Sequence, residues 1–121
     1  MLFNSPSVHT YRVAKVRGQT VTVDAVLTEI SLNGVVVISP KRASVGTRVE
    51  VFFEIPAKGY FRDLHILGFV EHFHAVDEGY LLGIRFEETS AELSAFIQDF
   101  IDYKNRLHEL GKQIHHPPEN P

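Results

Sequence analysis

The chain has 121 residues, enough for one domain with its own core and too few for a second. Twelve Lys and Arg against fifteen Asp and Glu give a net charge of −3, so there is no electrostatic footprint for DNA, RNA or an anionic membrane. The absence of cysteine excludes disulfides, thiolate metal sites and a cysteine nucleophile.

The N-terminal run MLFNSPSVHT has neither a basic n-region nor an apolar h-region, so no signal peptide is expected. No apolar stretch approaches the roughly 18 to 20 residues that span a bilayer, and a cytoplasmic location is expected. From Tyr11 to Phe86 the chain is rich in Val, Ile, Phe and Leu and is punctuated by Gly and Pro, the pattern of short strands joined by turns. Strands are expected at about 10–16, 20–30, 34–39, 47–55, 63–74 and 79–87. Val49, Val51, Phe53 and Ile55 recur at period two with Glu50, Phe52 and Glu54 between them, which marks a half-buried strand with Phe52 on its outer side. Six strands with short links favour an antiparallel barrel or sandwich, because parallel pairs need long crossovers.

After Phe86 the pattern changes to a helix. Thr89-Ser90-Ala91-Glu92 supplies hydroxyl caps and an early acid, with Glu92 three residues after Thr89 as a capping box requires. Phe96, Phe100, Tyr103, Leu107, Leu110 and Ile114 are spaced 4, 3, 4, 3, 4, a seam of two apolar residues per heptad. A helix of about 25 residues is roughly 37 Å long, more than a short barrel covers. Its first half is expected to lie on the barrel. The seam of Phe100, Tyr103, Leu107, Leu110 and Ile114 is expected to meet another protein or a second copy in a homo-oligomer. The expected organisation is 1–102 for the β domain with the start of the helix, 90–114 for the extended helix and 115–121 for a disordered tail.

The segment with most chemical content is Thr28-Glu29-Ile30-Ser31-Leu32-Asn33-Gly34, followed by VGTRVEVFFEIP, by GYLLGIRF and by the helix. Taken alone, Asn33-Gly34 is a hairpin turn signal, since both residues tolerate positive φ. Taken in this order, the segments resemble the PilZ family of small bacterial barrels known as cyclic di-GMP receptors. In that family the second strand ends in Asp or Asn, any residue, Ser, two residues, Gly. Ser31 and Gly34 match that pattern, Glu29 stands at the Asp or Asn position, and Gly83-Ile84-Arg85-Phe86 matches a later strand end.

The resemblance covers about residues 11–102 and implies a mainly β fold, a six-stranded antiparallel PilZ-like barrel followed by a C-terminal α-helix. It also implies a binding module with no catalytic role and no cofactor, with cyclic di-GMP as the possible ligand. A guanine edge offers N–H donors that suit a carboxylate or amide, a Ser hydroxyl donates or accepts, and Gly permits close approach. The nucleotide contacts implied are Glu29, Ser31, Asn33 and Gly34, with positive charge from Arg12, Arg17 and Arg42.

Family members that bind the nucleotide also carry two arginines separated by three residues, some twenty residues upstream. Guanidinium groups fork onto phosphate and stack on guanine. Here Arg12 and Arg17 have four residues between them, and on a strand an offset of five points them to opposite faces. Loss of two charge-assisted contacts costs roughly 3 to 6 kcal/mol at about 1.5 to 3 each, enough to turn submicromolar into millimolar binding. The expectation is therefore a signalling or adaptor module that works mainly through protein contacts, with weak or no nucleotide binding.

Other constellations carry less. Alternation puts His72 and His74 on one face of a strand and Glu71 and His65 on the other, leaving two ligands where a metal needs three or more. Ser31, His72 and Asp77 lack the nucleophile elbow and oxyanion loop of a hydrolase. Phe52, Phe53, Tyr60, Phe61, Phe69 and Phe73 without a basic stripe read as core and interface rather than as a base-stacking platform.

Overall fold

The structure, a computed structural model, describes residues 6–114. The expected tail at 115–121 and the side chain of Ile114 lie outside the described residues. Six strands precede one helix: β1 (Ser7–Arg17), β2 (Thr22–Ser31), β3 (Gly34–Ser39), β4 (Arg48–Ala57), β5 (Tyr60–Val76), β6 (Gly79–Phe86) and α1 (Ala91–Ile114). Every pairing is antiparallel, and the order β1-β2-β3-β6-β5-β4 closes on itself through β1 and β4. The closing seam is short, Ala14–Arg17 against Phe53–Glu50.

Alternation fills the interior. Val49, Val51, Phe53 and Ile55 of β4 all point inward and are at most 5% exposed, as their period-two spacing predicts. Leu27, Ile30, Val35, Val37 and Ile84 join them. Each such side chain contributes about 1.5 to 3 kcal/mol by leaving water, and together they hold the strands in register. Phe52 lies on the outer side of β4, stacked on His65 at 4.4 Å between centroids.

The strands β4 and β5 run further than expected, to Ala57 and from Tyr60, because a tight turn at Lys58 and Gly59 joins them directly. Both turn residues have positive φ, 55° and 85°, the handedness that matches the twist of a two-residue hairpin. Pro56 is tolerated inside β4 because β1 pairs only with 50–53 of that strand, so no neighbour needs the missing N–H.

The helix begins at Ala91, and the cap is Ser90, whose Oγ accepts the N–H of Leu93 at 3.1 Å. This corrects the Thr89–Glu92 capping box. Thr89 lies one residue too early, and its hydroxyl meets that of Ser94 instead. The first half of α1 covers one end of the barrel against β1, β2 and β4, with Ile97, Phe100 and Ile101 buried. Phe100, assigned by periodicity to the partner seam, is 1% exposed and belongs to this packed half. The exposed part of the seam starts at Tyr103 and continues through Leu107 and Leu110. Among the described residues no helix is long and apolar enough to cross a membrane.

Candidate functional site

A bulge decides which way the conspicuous motif faces. In β2, Leu27 pairs with Val37 and Glu29 with Val36, so Thr28 is an extra residue opposite β3. The Thr28 hydroxyl donates to the Val36 carbonyl at 3.2 Å and holds the bulge. Leu27 and Ile30 thereby both reach the core, and Glu29 turns outward.

On the outer wall Glu29 heads a row across four strands. It is opposite Val36, Val36 is opposite Gly83, and Gly83 is opposite His72. Gly83 has no side chain, and the His72 imidazole occupies that space: a Cβ built on Gly83 would sit 2.3 Å from His72 Nε2. Both His72 ring nitrogens are buried and without a hydrogen-bond partner among the described residues. The row is thus a carboxylate acceptor and an imidazole with unused polar capacity, separated by an apolar floor. Ser7 donates its hydroxyl to Glu29.

The remaining motif residues build a turn. The Ser31 hydroxyl is 1% exposed, accepts the N–H groups of Asn33 and Gly34 at 3.1 and 3.2 Å, and donates to the Gly34 carbonyl. The Asn33 carbonyl accepts the N–H of Phe86 at 2.8 Å, which ties the turn to the end of β6. Neither Asn33 nor Gly34 has positive φ, so the expected left-handed Asn-Gly turn is replaced by one wrapped around a serine hydroxyl.

Each of the three arginines has a partner of its own outside this motif. Arg12 follows Ala14 and Val16 in its orientation, donates to the Glu54 carbonyl at 2.7 Å and lies 5.9 Å from the centre of the Phe100 ring. Arg17 points to the outer side of β1, where it forks onto Glu50 and lies over Phe52 at 5.1 Å. Arg42 lies over Phe73 at 5.3 Å. The opposite faces expected for Arg12 and Arg17 are therefore observed.

The Arg17 guanidinium hydrogen-bonded to Glu50 holds that carboxyl below its ordinary value of 4.5. A lowered folded value means that the pair's contribution to stability is complete above 4.5 and fades as pH falls through the lower folded value. Nuclear magnetic resonance titration should give a Glu50 midpoint below 4.5 that rises when Arg17 becomes methionine. An unchanged midpoint in that variant would remove the pair as its cause.

Two further residues of the outer wall escape a reading by spacing alone. Arg85 is directly opposite Gly34 and is ion-paired with Glu71. A second bulge, at Glu71 between Val70 and His72, inverts the alternation in β5. His72 consequently faces outward together with Glu71 and His65, which corrects the expectation of opposite faces. No group of three metal-ligating side chains occurs among the described residues. The signal for His72 was Gly83, whose bareness makes sense only once the two residues are paired.

A family model described as the PilZ domain matches residues 6–103. No curated protein matches the chain. Among solved structures, the Bacillus subtilis inhibitor of motility MotI/DgrA is similar over 93% of this chain and 53% of its own, at TM-score 0.70 and 16% identity. Escherichia coli YcgR in complex with c-di-GMP is similar over 95% of this chain and 51% of its own, at TM-score 0.72 and 15% identity. The isolated PilZ domain of the same protein with c-di-GMP is similar over 97% of this chain and 100% of its own, at TM-score 0.68 and 13% identity. The chain thus spans about half the length of MotI/DgrA and of YcgR.

Proposed function

Because the chain belongs to the PilZ domain family, the family of c-di-GMP receptor modules rather than of enzymes, we propose that it is a cytoplasmic signalling or adaptor module. It acts mainly through protein contacts and binds the nucleotide weakly or not at all. The observation that carries this reading is that the three candidate cations each have another partner. Arg12 is committed to α1 and β4, Arg17 to Glu50 and Arg42 to Phe73, while the Ser31 hydroxyl is spent on its own turn. A dianionic ligand lying on the Glu29 row meets a carboxylate first and has no pair of guanidinium groups to fork onto its phosphates. The output surface is the exposed helical seam of Tyr103, Leu107 and Leu110, offered to another protein or to a second copy.

A second reading is a c-di-GMP receptor that uses Glu29, Ser31 and Gly34 with Arg12, Arg17 and Arg42. It is supported by the ligand held in the E. coli YcgR structures and by the outward turn of Glu29. Isothermal calorimetry with cyclic di-GMP separates the two. The expected result is a dissociation constant of roughly 1 mM or weaker. Submicromolar binding that is lost in Arg-to-Ala variants would establish the second reading instead.

A further inference from the structure

Four of the described cations are held by carboxylates: Lys15 by Asp24, Arg17 by Glu50, Arg48 by Glu87 and Arg85 by Glu71. All four stand on the barrel wall. Of the cations without a carboxylate at ion-pair distance among the described residues, Arg12, Lys41, Arg42 and Lys104 stand elsewhere, while Lys58, Arg62 and Arg106 lie where the β4–β5 hairpin tip meets α1.

The geometry of that corner is fixed. The Lys58 N–H donates to Asp99 Oδ2 at 2.8 Å and fastens the hairpin tip to the helix. Arg62 lies over the rings of both Tyr60 and Phe96, 5.2 and 4.7 Å from their centres. Its N–H groups go to the carbonyls of Ala57 and Lys58, which orient the guanidinium without neutralising it. Tyr60, Phe61 and Tyr103, which face the space between hairpin tip and helix, are 71%, 66% and 41% exposed. Between tip and helix lies a groove of about 470 Å3.

We propose that this groove docks an acidic segment of another protein that carries an apolar anchor. The aromatic walls take the anchor, and Lys58 and Arg106 of the lining take the carboxylates, with the charge of Arg62 over Tyr60 adding to the positive field. The proposal rests on the protein-contact function above and deepens it by assigning the chemistry of the partner.

Charge decides against a second copy as the occupant. A twofold interface sets a patch against itself, so the three cations would face their own counterparts. Asp99, the acid that lines the groove, is already engaged by the Lys58 N–H. Shape decides against a bilayer. The groove is a concave slot between the hairpin tip and the helix, which a side chain enters and a planar headgroup layer does not.

The test is a resonance titration of the isotope-labelled full chain with three probes. The first is a helical peptide of glutamates with Leu and Phe at every fourth position, and the second is its counterpart with every Glu replaced by Lys. The third is vesicles of phosphatidylcholine and phosphatidylglycerol. The acidic peptide alone is expected to shift Lys58, Tyr60, Phe61, Tyr103 and Arg106. The double variant Lys58→Glu with Arg106→Glu should weaken it about tenfold or more and admit the lysine peptide. If the double variant does not fold, Arg106→Glu alone, on the exposed helix face, supplies the same comparison. A silent acidic peptide, equal binding of both peptides, shifts confined to another surface, or binding of vesicles alone overturns the proposal. So does concentration-dependent broadening of the same resonances without any peptide, which would make a second copy the occupant. Tight cyclic di-GMP binding in calorimetry would overturn the functional reading and leave the peptide result standing, whereas a silent peptide titration removes this proposal alone.

Discussion

Replacing Phe100 by alanine is expected to lower the unfolding free energy by about 3 to 5 kcal/mol, the range for removing a large aromatic side chain from a packed core. Phe100 is 1% exposed where α1 meets the barrel end, and among the described residues it is the largest fully buried side chain. The Arg12 guanidinium carbon and the Lys104 Nζ each lie 5.9 Å from its ring centre. Truncation therefore opens a cavity and removes the ring over which both cations lie. Against a typical domain stability of about 5 to 15 kcal/mol, the variant should be at the margin of folding, and urea unfolding followed by circular dichroism measures it. Tyr103→Ala, one turn further along the same helix and 41% exposed, should change stability by about 0.5 kcal/mol or less. Equal losses in the two variants would show that the helix is not held at Phe100.

Gly79→Ala is expected to cost roughly 2 to 6 kcal/mol, through backbone strain and a steric clash of comparable size. Gly79 closes the β5–β6 hairpin with φ of 141°, a conformation that L side chains rarely adopt. A Cβ there would sit 2.4 Å from the Ser39 carbonyl oxygen. That carbonyl has little freedom to retreat. Ser39 is 1% exposed, pairs with Tyr80 and is bonded through its hydroxyl to both the N–H and the carbonyl of Lys41. Gly111→Ala is the contrasting control. Its Cβ meets nothing within 4 Å, so the helix should gain up to about 1 kcal/mol. Thermal unfolding of both variants checks the pair, and a Gly79→Ala protein that melts with the parent would contradict the strain argument.

Local chemistry made the strands, the inward set of β4 and the helical seam legible, because each follows from a period of two or about 3.5 along the chain. What remained hidden depends on partners distant in sequence. The bulges at Thr28 and Glu71 exist only relative to the strands opposite them, and they decide that Glu29 and His72 face outward. Asn33-Gly34 reads as a left-handed turn until the Ser31 hydroxyl supplies a different way to close it. The capping residue moved by one position: both hydroxyls suit a cap by type, and the fold gives that of Ser90 the Leu93 N–H while that of Thr89 meets Ser94. For the candidate site, the missing arginine pair could be read from spacing, whereas the commitments of Arg12, Arg17 and Arg42 required the folded wall. The cation cluster at the hairpin tip was invisible for the same reason: Lys58 and Arg106 are 48 positions apart in the chain.

Closure of the sheet has a consequence for how this molecule meets others. An open sheet presents rows of unpaired N–H and C=O groups, and both strand-adding partners and aggregates grow from such edges. Here the ring is complete, and where the β1–β4 seam ends at Ala14 and Phe53, the Arg12 side chain donates to the next free carbonyl region at Glu54. Backbone templating is thereby denied to a partner wherever the ring is paired, and the short stretch of β4 beyond Phe53 is the one left without β1. Beside the aromatic corner of Tyr60 and Phe61 that stretch carries Pro56, which has no N–H to offer, and Arg12 occupies the Glu54 carbonyl, so a cross-β partner finds few groups to pair with.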